Sequence, residues 1–94
     1  MWAVVVTVDV PEGMDAATAR RGIEQDLVPA APSMPGFVRA VWLSHEAGHT
    51  GLGIHQVEDE QHARQIADQI QVGGDAGAGA TVRSVDVYEV LAEA

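Results

Sequence analysis

Hydrophobic residues cluster in four short segments of the chain, each rich in β-branched side chains. The first covers residues 2–10 and ends at a Pro-Glu-Gly turn sequence, and the others cover residues 37–44, 52–58 and 81–91. Segments of this length, bounded by glycine, proline or charged residues, are typical of β-strands. The pattern therefore predicts four strands, and in the first strand the even-numbered valines from Val4 to Val10 form one apolar face that is expected to be core.

Two further segments, 16–28 and 60–71, repeat apolar residues at intervals of three and four, which predicts two helices. Asp15 and Asp59 directly precede them, and each can accept a hydrogen bond from a free backbone N–H at the helix start. Gly22 lies within the first helix, where glycine costs ~1 kcal/mol relative to alanine, and a close approach to the sheet would explain it. The glycine-rich residues 73–80 are expected to form a flexible linker.

The predicted order, β–α–β–β–α–β, favours a single α+β domain over residues 1–94. It folds most simply as a ferredoxin-like arrangement, with one four-stranded antiparallel sheet and both helices on one face. Right-handed crossovers would place the first and third strands in the centre and the second and fourth at the edges.

The predicted strands do not alternate cleanly between apolar and polar residues. The second strand has Phe37, Val41 and Leu43 on one face but also Val38 and Trp42 on the other. A sheet with helices on one side normally alternates, so the helix-free face is too apolar to stay in water. A second copy of the chain is the simplest cover, and we expect a homodimer.

Composition limits the partners that this chain can have. Its 94 residues allow one domain, and 47% of them are hydrophobic, as in folded proteins. The net charge is −9, from fourteen carboxylates and five arginines, without lysine. Nucleic acid and anionic membrane are therefore not expected as partners. The absence of cysteine excludes disulfides and thiolate metal sites. No targeting segment is visible, so cytoplasmic residence is the default expectation.

Residues 45–49 read His-Glu-Ala-Gly-His, the H-E-x-x-H pattern of zinc proteases, and His55 follows where the extended motif has its third ligand. That chemistry requires a helix, which places both imidazoles on one side of the metal. Here the surroundings are strand, glycine-containing loop and strand. Leu52 also occupies the position at which the extended motif needs glycine. A loop without a metal site is the better interpretation.

A more plausible site comes from polar residues expected on the helix-free face. If Leu52 and Ile54 face the core, His55 points away from it. The same reasoning places on the helix-free face Thr7, Asp9, Ser84, Asp86 and Tyr88. A histidine oriented by a carboxylate in an apolar cavity can act as a general base. The open alternative is that His55 belongs to an interface and has no catalytic role.

Two more residues complete the predicted pocket. Trp42 can hold a flat aromatic molecule, although an indole serves equally in packing. Arg39 lies on the same predicted strand and can meet an anionic ligand or a surface carboxylate.

Nearly the whole chain resembles a known superfamily, and two segments carry the likeness. The segment 35–70, PGFVRAVWLSHEAGHTGLGIHQVEDEQHARQIADQI, together with 82–94, VRSVDVYEVLAEA, resembles the dimeric α+β barrel proteins, and in particular small members near the antibiotic-biosynthesis monooxygenases. Pro35–Gly36–Phe37 at the start of the second strand is the most specific local mark. The resemblance implies two ferredoxin-like sheets packed face to face, with a cavity between sheet and helices in each subunit.

Relatives in this superfamily include cofactor-free oxygenases of polyketide quinols, haem-degrading monooxygenases, small isomerases and proteins without known activity. The haem-degrading branch carries an Asn–Trp–His set, and this chain has no asparagine. His62 also lies too early to match the haem-ligand histidine. No flavin or nicotinamide fingerprint is present. No cofactor is therefore expected.

The combined expectation is a homodimer that binds a small apolar or aromatic, polyketide-like molecule. One alternative is a cofactor-independent monooxygenase with His55 as the base. Another is a structural or stress-related dimer that binds no ligand. Whether the protein is an enzyme is open at this point, because one fold supports many functions.

Overall fold

A computed structural model describes all residues, 1–94, and contains eight helical and strand segments in chain order. These are β1 (Trp2–Asp9), α1 (Ala16–Gly22) with a π-helical continuation (Ile23–Leu27), a 3₁₀ turn (Ala31–Ser33), β2 (Phe37–Ser44), β3 (Thr50–Val57), α2 (Glu60–Gln69), β4 (Asp75–Gly77) and β5 (Ala80–Glu89).

The strands form one antiparallel sheet in the order β2-β3-β1-β5-β4. The protein is thus an α+β domain compatible with a ferredoxin-like fold, and β1 and β3 lie inside the sheet and β2 at an edge as predicted. The last strand, β5, was expected at the other edge, but β4 pairs with it and takes that place. The predicted strand bounds differ from the observed ones by one or two residues at most. The prediction of four strands is wrong, because the sheet has five.

The fifth strand lies in the segment expected to be a linker. Residues 75–77 form β4, in which Asp75 pairs with Thr81 and Gly77 with Ala80. The chain reverses through three residues with positive φ, namely Gly77 (85°), Ala78 (53°) and Gly79 (82°). The backbone pairing of a tight hairpin therefore makes this strand, since the residues themselves have little preference for β-structure.

The core lies between α2 and the middle of the sheet. Helix α2 packs against β1, β3 and β5, and Val4 and Val57 are fully buried beneath it. Its own Ala63 and Ile66 are buried from the other side. The Asp59 side chain accepts a hydrogen bond from the His62 backbone N–H at 2.9 Å, which confirms the predicted helix cap.

The first helical segment is held differently. Asp15 caps it as predicted, accepting from the Thr18 N–H at 2.8 Å, but neither α1 nor its π-helical continuation contains a buried residue. Gly22 lies against the β4–β5 turn, where a Cβ at this position would be 2.9 Å from the Ala78 Cβ. The close approach inferred for Gly22 is therefore to this turn, not to the central strands.

The helix-free face of the sheet is apolar in the middle. Val5 and Ile54 pair across β1 and β3, and Val41 of β2 pairs with Ile54. Apolar side chains near the β2 edge of this face remain substantially exposed, with Val41 and Leu43 both at 47%. None of the helices is both long enough and apolar enough to cross a membrane.

Candidate binding cavity

A cavity of ≈ 1030 Å³ lies between the first helical segment and the sheet. It exists because that segment contacts the β4–β5 hairpin and does not bury side chains against the central strands. Ala19, Ile23 and Leu27 form the apolar side of the segment and line the cavity. On the sheet side the cavity reaches Val6 and Val8 of β1.

The floor of the cavity is a pair of glycines in β3. Gly53 pairs with Val6 and Gly51 with Val8, so both glycines occupy helix-facing positions of the strand. A Cβ at Gly53 would lie 3.2 Å from His55 Cε1 and 3.4 Å from Trp42 Cδ1. Glycine at position 53 allows the Trp42 and His55 rings to lie close to the strand, and both glycines line the cavity.

Trp42 and His55 form one wall of the cavity. Their ring centroids are 5.8 Å apart and their planes are inclined at 82°, an edge-to-face arrangement. Both side chains reach the cavity from adjacent strands, because Trp42 pairs with Gly53 and Ala40 pairs with His55. An aromatic wall facing apolar helix residues is typical of sites that bind small organic molecules.

His55 is the most unusual polar residue of this wall. It is 7% exposed, and its Nδ1 is buried without a hydrogen-bond partner. Burial lowers the pKa of His55, and the backbone of Val4 offsets only part of this effect. The imidazole is therefore neutral at pH 7.

The prediction that His55 lies on the helix-free face is wrong. His55 pairs with Val4, whose side chain is buried beneath α2, and paired residues share a face of the sheet. Leu52 and Ile54, which were expected in the core, point to the opposite face. The sheet therefore separates His55 from Thr7, Ser84 and Asp86, with which it was expected to form a site.

The other predicted pocket residues on β1 and β5 lie on the helix-free face, as expected. Thr7 pairs with Ser84 across these strands, and Tyr88 and Asp86 pair with Ala3 and Val5. Asp9 forms an ion pair with Arg83. These residues form a surface in this protomer and do not line the cavity.

Arg39 belongs to a cluster at one end of the helix-free face. Its Nε donates to Gln56 Oε1 at 2.7 Å, and its Nη2 donates to Glu93 Oε1 at 2.9 Å. The Gln56 amide also donates to Glu93. The expected surface ion pair of Arg39 is therefore present, and it fastens the C-terminal residues across β3. Of the predicted pocket residues, only Trp42 reaches the cavity with His55.

The H-E-x-x-H residues lie in the turn between β2 and β3, so the prediction of a loop is confirmed. His45 Nδ1 accepts a hydrogen bond from the Ala47 N–H at 3.0 Å. His45 and Glu46 reach the rim of the cavity. No group of three or more histidine, aspartate or glutamate side chains is close enough together to hold a metal ion.

The family resemblance implied a cavity between sheet and helices, but sequence reasoning missed the glycines that form its floor. The available signal was the alternation Gly51-Leu52-Gly53 within a predicted strand, since glycine in a strand often marks a close approach or a missing side chain. No comparable sequence pattern predicted that the cavity rim would contain Glu46, Glu24 and Arg20. The chain matches no family model, and a search of curated proteins finds no relative of it.

Proposed function

We propose that the protein is a homodimer that binds a small apolar or aromatic molecule in the cavity beneath α1. The observation that carries this proposal is the cavity itself, which is lined by the glycine pair of β3 and by the Trp42–His55 wall. The cavity has the size of a ligand pocket, and apolar residues form the larger part of its lining. The apolar side of α1 and its π-helical continuation is not buried against the sheet, so an apolar ligand would remove this surface from water and stabilise the complex.

Binding can be tested with naphthalene-2-methanol, an uncharged flat aromatic probe, by equilibrium dialysis. We expect saturable binding at one probe per chain. Ala19→Trp places an indole in the cavity and should weaken binding at least ~10-fold, because the probe and the indole compete for the same apolar space. Ala17→Trp is the matched control, since Ala17 is exposed on the same helix and does not line the cavity.

The proposal fails if no saturable binding is measured, and the structural dimer without ligand would then be the better interpretation. It also fails if Ala17→Trp and Ala19→Trp weaken binding equally, since the effect would then come from the helix and not from the cavity. Circular dichroism spectra of both variants establish that the helix is retained.

The helix-free face supports the dimeric part of the proposal. Its four long strands span roughly 19 by 26 Å, which is of the same order as the ~800 Å² per partner buried in standard interfaces. At its two ends the arginines are already paired within the protomer, Arg39 with Glu93 and Arg83 with Asp9. Two copies can therefore bring the apolar centre together without burying an unpaired arginine.

Val41→Glu tests this interface, because it adds a charge to an exposed apolar side chain of this face, on the edge strand β2. We expect wild type to sediment as a dimer at about 10 µM and Val41→Glu to sediment as a monomer. Val72→Glu makes the same change at another exposed valine away from the face and should stay dimeric. A monomeric wild type at this concentration would contradict the proposed dimer.

His55 favours a second candidate function, a cofactor-independent monooxygenase. A neutral imidazole at the cavity wall can accept a proton from an acidic C–H or phenolic O–H of a bound quinol. The carbanion would then reduce O₂. With anthrone, one oxygen atom enters the product anthraquinone and the other leaves as water.

Oxygen uptake with anthrone measures this activity directly. Uptake above the buffer rate that is lost in His55→Gln, but retained in the loop variant His49→Gln, would support it. Uptake that survives His55→Gln would show that His55 is not the base. Binding of the naphthalene probe without any uptake would favour the binding function alone.

A further inference from the structure

The charged residues around the cavity are predominantly acidic. One guanidinium, that of Arg20, lines it together with four carboxylates, which belong to Asp15, Glu24, Glu46 and Asp75. None of these carboxylates lies within ion-pair distance of an arginine or histidine. Other carboxylates of the chain are paired, as Glu60 is with Arg64. Arg20, together with Arg21 near Asp15, therefore compensates only part of the negative charge at this rim.

Two of the four carboxylates are fixed in place by the backbone. Asp15 accepts from the Thr18 N–H at 2.8 Å, and Asp75 accepts from the Gly77 N–H at 2.8 Å. The hydrogen bonds from Thr18 lower the pKa of Asp15, which stays ionised at neutral pH. Neither hydrogen bond supplies a positive charge, so both groups keep a negative potential at the cavity mouth.

The interior of the cavity is also suited to a cation. Trp42 offers an indole, the ring that attracts ammonium groups most strongly through its quadrupole. The His55 ring, which is more than nine-tenths buried, also lines the cavity. A neutral imidazole can accept a hydrogen bond from an ammonium group, whereas it offers a carboxylate only its single N–H.

We propose that the cavity selects aromatic molecules that carry a protonated amine and rejects aromatic carboxylates and phosphates. The inference rests on the proposed binding function and adds the charge of the ligand to it. Aromatic packing against Trp42 supplies the affinity, and the acidic rim decides among ligands of the same shape. An overall charge of −9 extends this preference to the approach of the ligand from solution.

The expected size of the preference follows from the surplus of carboxylates. Each unpaired charge at ~8 Å from the ligand contributes a small interaction in water, and the interaction changes sign between a cation and an anion. We expect an aromatic ammonium to bind ~10-fold or more tightly than its carboxylate isostere at about 20 mM ionic strength, and only ~2-fold more tightly at about 500 mM, where screening is nearly complete at this distance.

Three naphthalene probes of one shape test the proposal: the 2-methanol, the 2-methylammonium and the 2-carboxylate. Equilibrium dialysis at both ionic strengths gives their dissociation constants with wild type. The double variant Glu24→Gln/Glu46→Gln removes the two rim charges that do not cap a helix or a turn. We expect it to reduce the ammonium-to-carboxylate ratio at least ~3-fold at the lower ionic strength.

Asp68→Asn/Glu89→Gln is the matched control, since it makes the same change of charge at exposed residues outside the cavity and should leave the ratio near its wild-type value. If the alcohol binds but the carboxylate binds as tightly as the ammonium, the charge selection is refuted and the binding function stands. If the control lowers the ratio as much as the rim variant, the rim has no special role and the proposal is likewise refuted. If none of the three probes binds, the proposed function fails with it.

Discussion

We expect substitutions at Gly22 and Ala78 to have coupled effects on the free energy of unfolding, because these two residues are in contact. Gly22→Ala should gain ~1 kcal/mol in helix propensity. Against this, the new Cβ would lie 2.9 Å from the Ala78 Cβ, well inside the ~3.5–4.0 Å at which carbon atoms pack. Overpacking of this kind costs ~1–3 kcal/mol. We therefore expect Gly22→Ala to lower the free energy of unfolding by up to ~2 kcal/mol.

Removal of the second Cβ should reverse the effect. Ala78 has φ of 53°, a left-handed conformation that glycine adopts more readily, so Ala78→Gly alone should change stability little. In the double variant the helix-propensity gain remains, and the nearest atom to the new Cβ becomes the residue 78 Cα at 3.3 Å. The two substitutions should therefore show a favourable coupling energy of ~1–2 kcal/mol.

Urea unfolding, followed by circular dichroism and tryptophan fluorescence, measures this cycle. All variants are compared at one protomer concentration, because a dimer gains stability with concentration. Ala17→Gly on the same helix calibrates the propensity difference at an exposed position. Additive effects within ~0.3 kcal/mol would refute the coupling, and with it the argument that the hairpin turn holds the helix through this contact.

Two further predictions concern His55 and the C-terminal residues. The folded-state pKa of His55 lies below its ordinary value of 6.5, so the unfolded chain binds more protons as the pH falls below 6.5. Stability should be fully present above this pH and should decline below it by up to ~1.4 kcal/mol per pH unit. Urea titrations should show this component missing in His55→Gln and retained in His49→Gln, and parallel curves for His55→Gln and wild type would contradict it. Glu93→Ala should lower the free energy of unfolding by ~0.5–1.5 kcal/mol, because the buried Gln56 amide loses its acceptor. The control Glu89→Ala should lower it by less than ~0.5 kcal/mol. Equal losses for the two variants in urea unfolding would contradict a stabilising role of the Arg39–Gln56–Glu93 cluster.

The fold could be predicted from sequence where a pattern had a single interpretation. The run of valines predicted β1 correctly, and the apolar residues at helical spacing predicted α2 correctly. Asp15 and Asp59 correctly indicated where the two helices begin. β4 could not be predicted in this way, because Asp-Ala-Gly has no strand preference and pairs only through the turn that follows it. Its formation depends on backbone geometry that composition does not reveal.

The candidate site shows the same limit more sharply. Both faces of β3 carry apolar residues, so the alternation of side chains did not identify the core face. Leu52 and Ile54 appeared to be the natural core residues, yet the pairing of Val4 with His55 turns them outward. Register is a property of two strands together, and a reading of one strand alone placed His55 on the wrong side.

The glycine floor of β3 has a consequence for how any ligand would be distinguished. Peptide groups of this strand are already engaged by β1 and β2 on either side, so they have no free donors or acceptors to offer. The floor of the cavity therefore offers no hydrogen-bond partner to a ligand. Ligand recognition must then come from the surrounding side chains. Substitutions in α1 should therefore change which ligand binds without any change to the sheet.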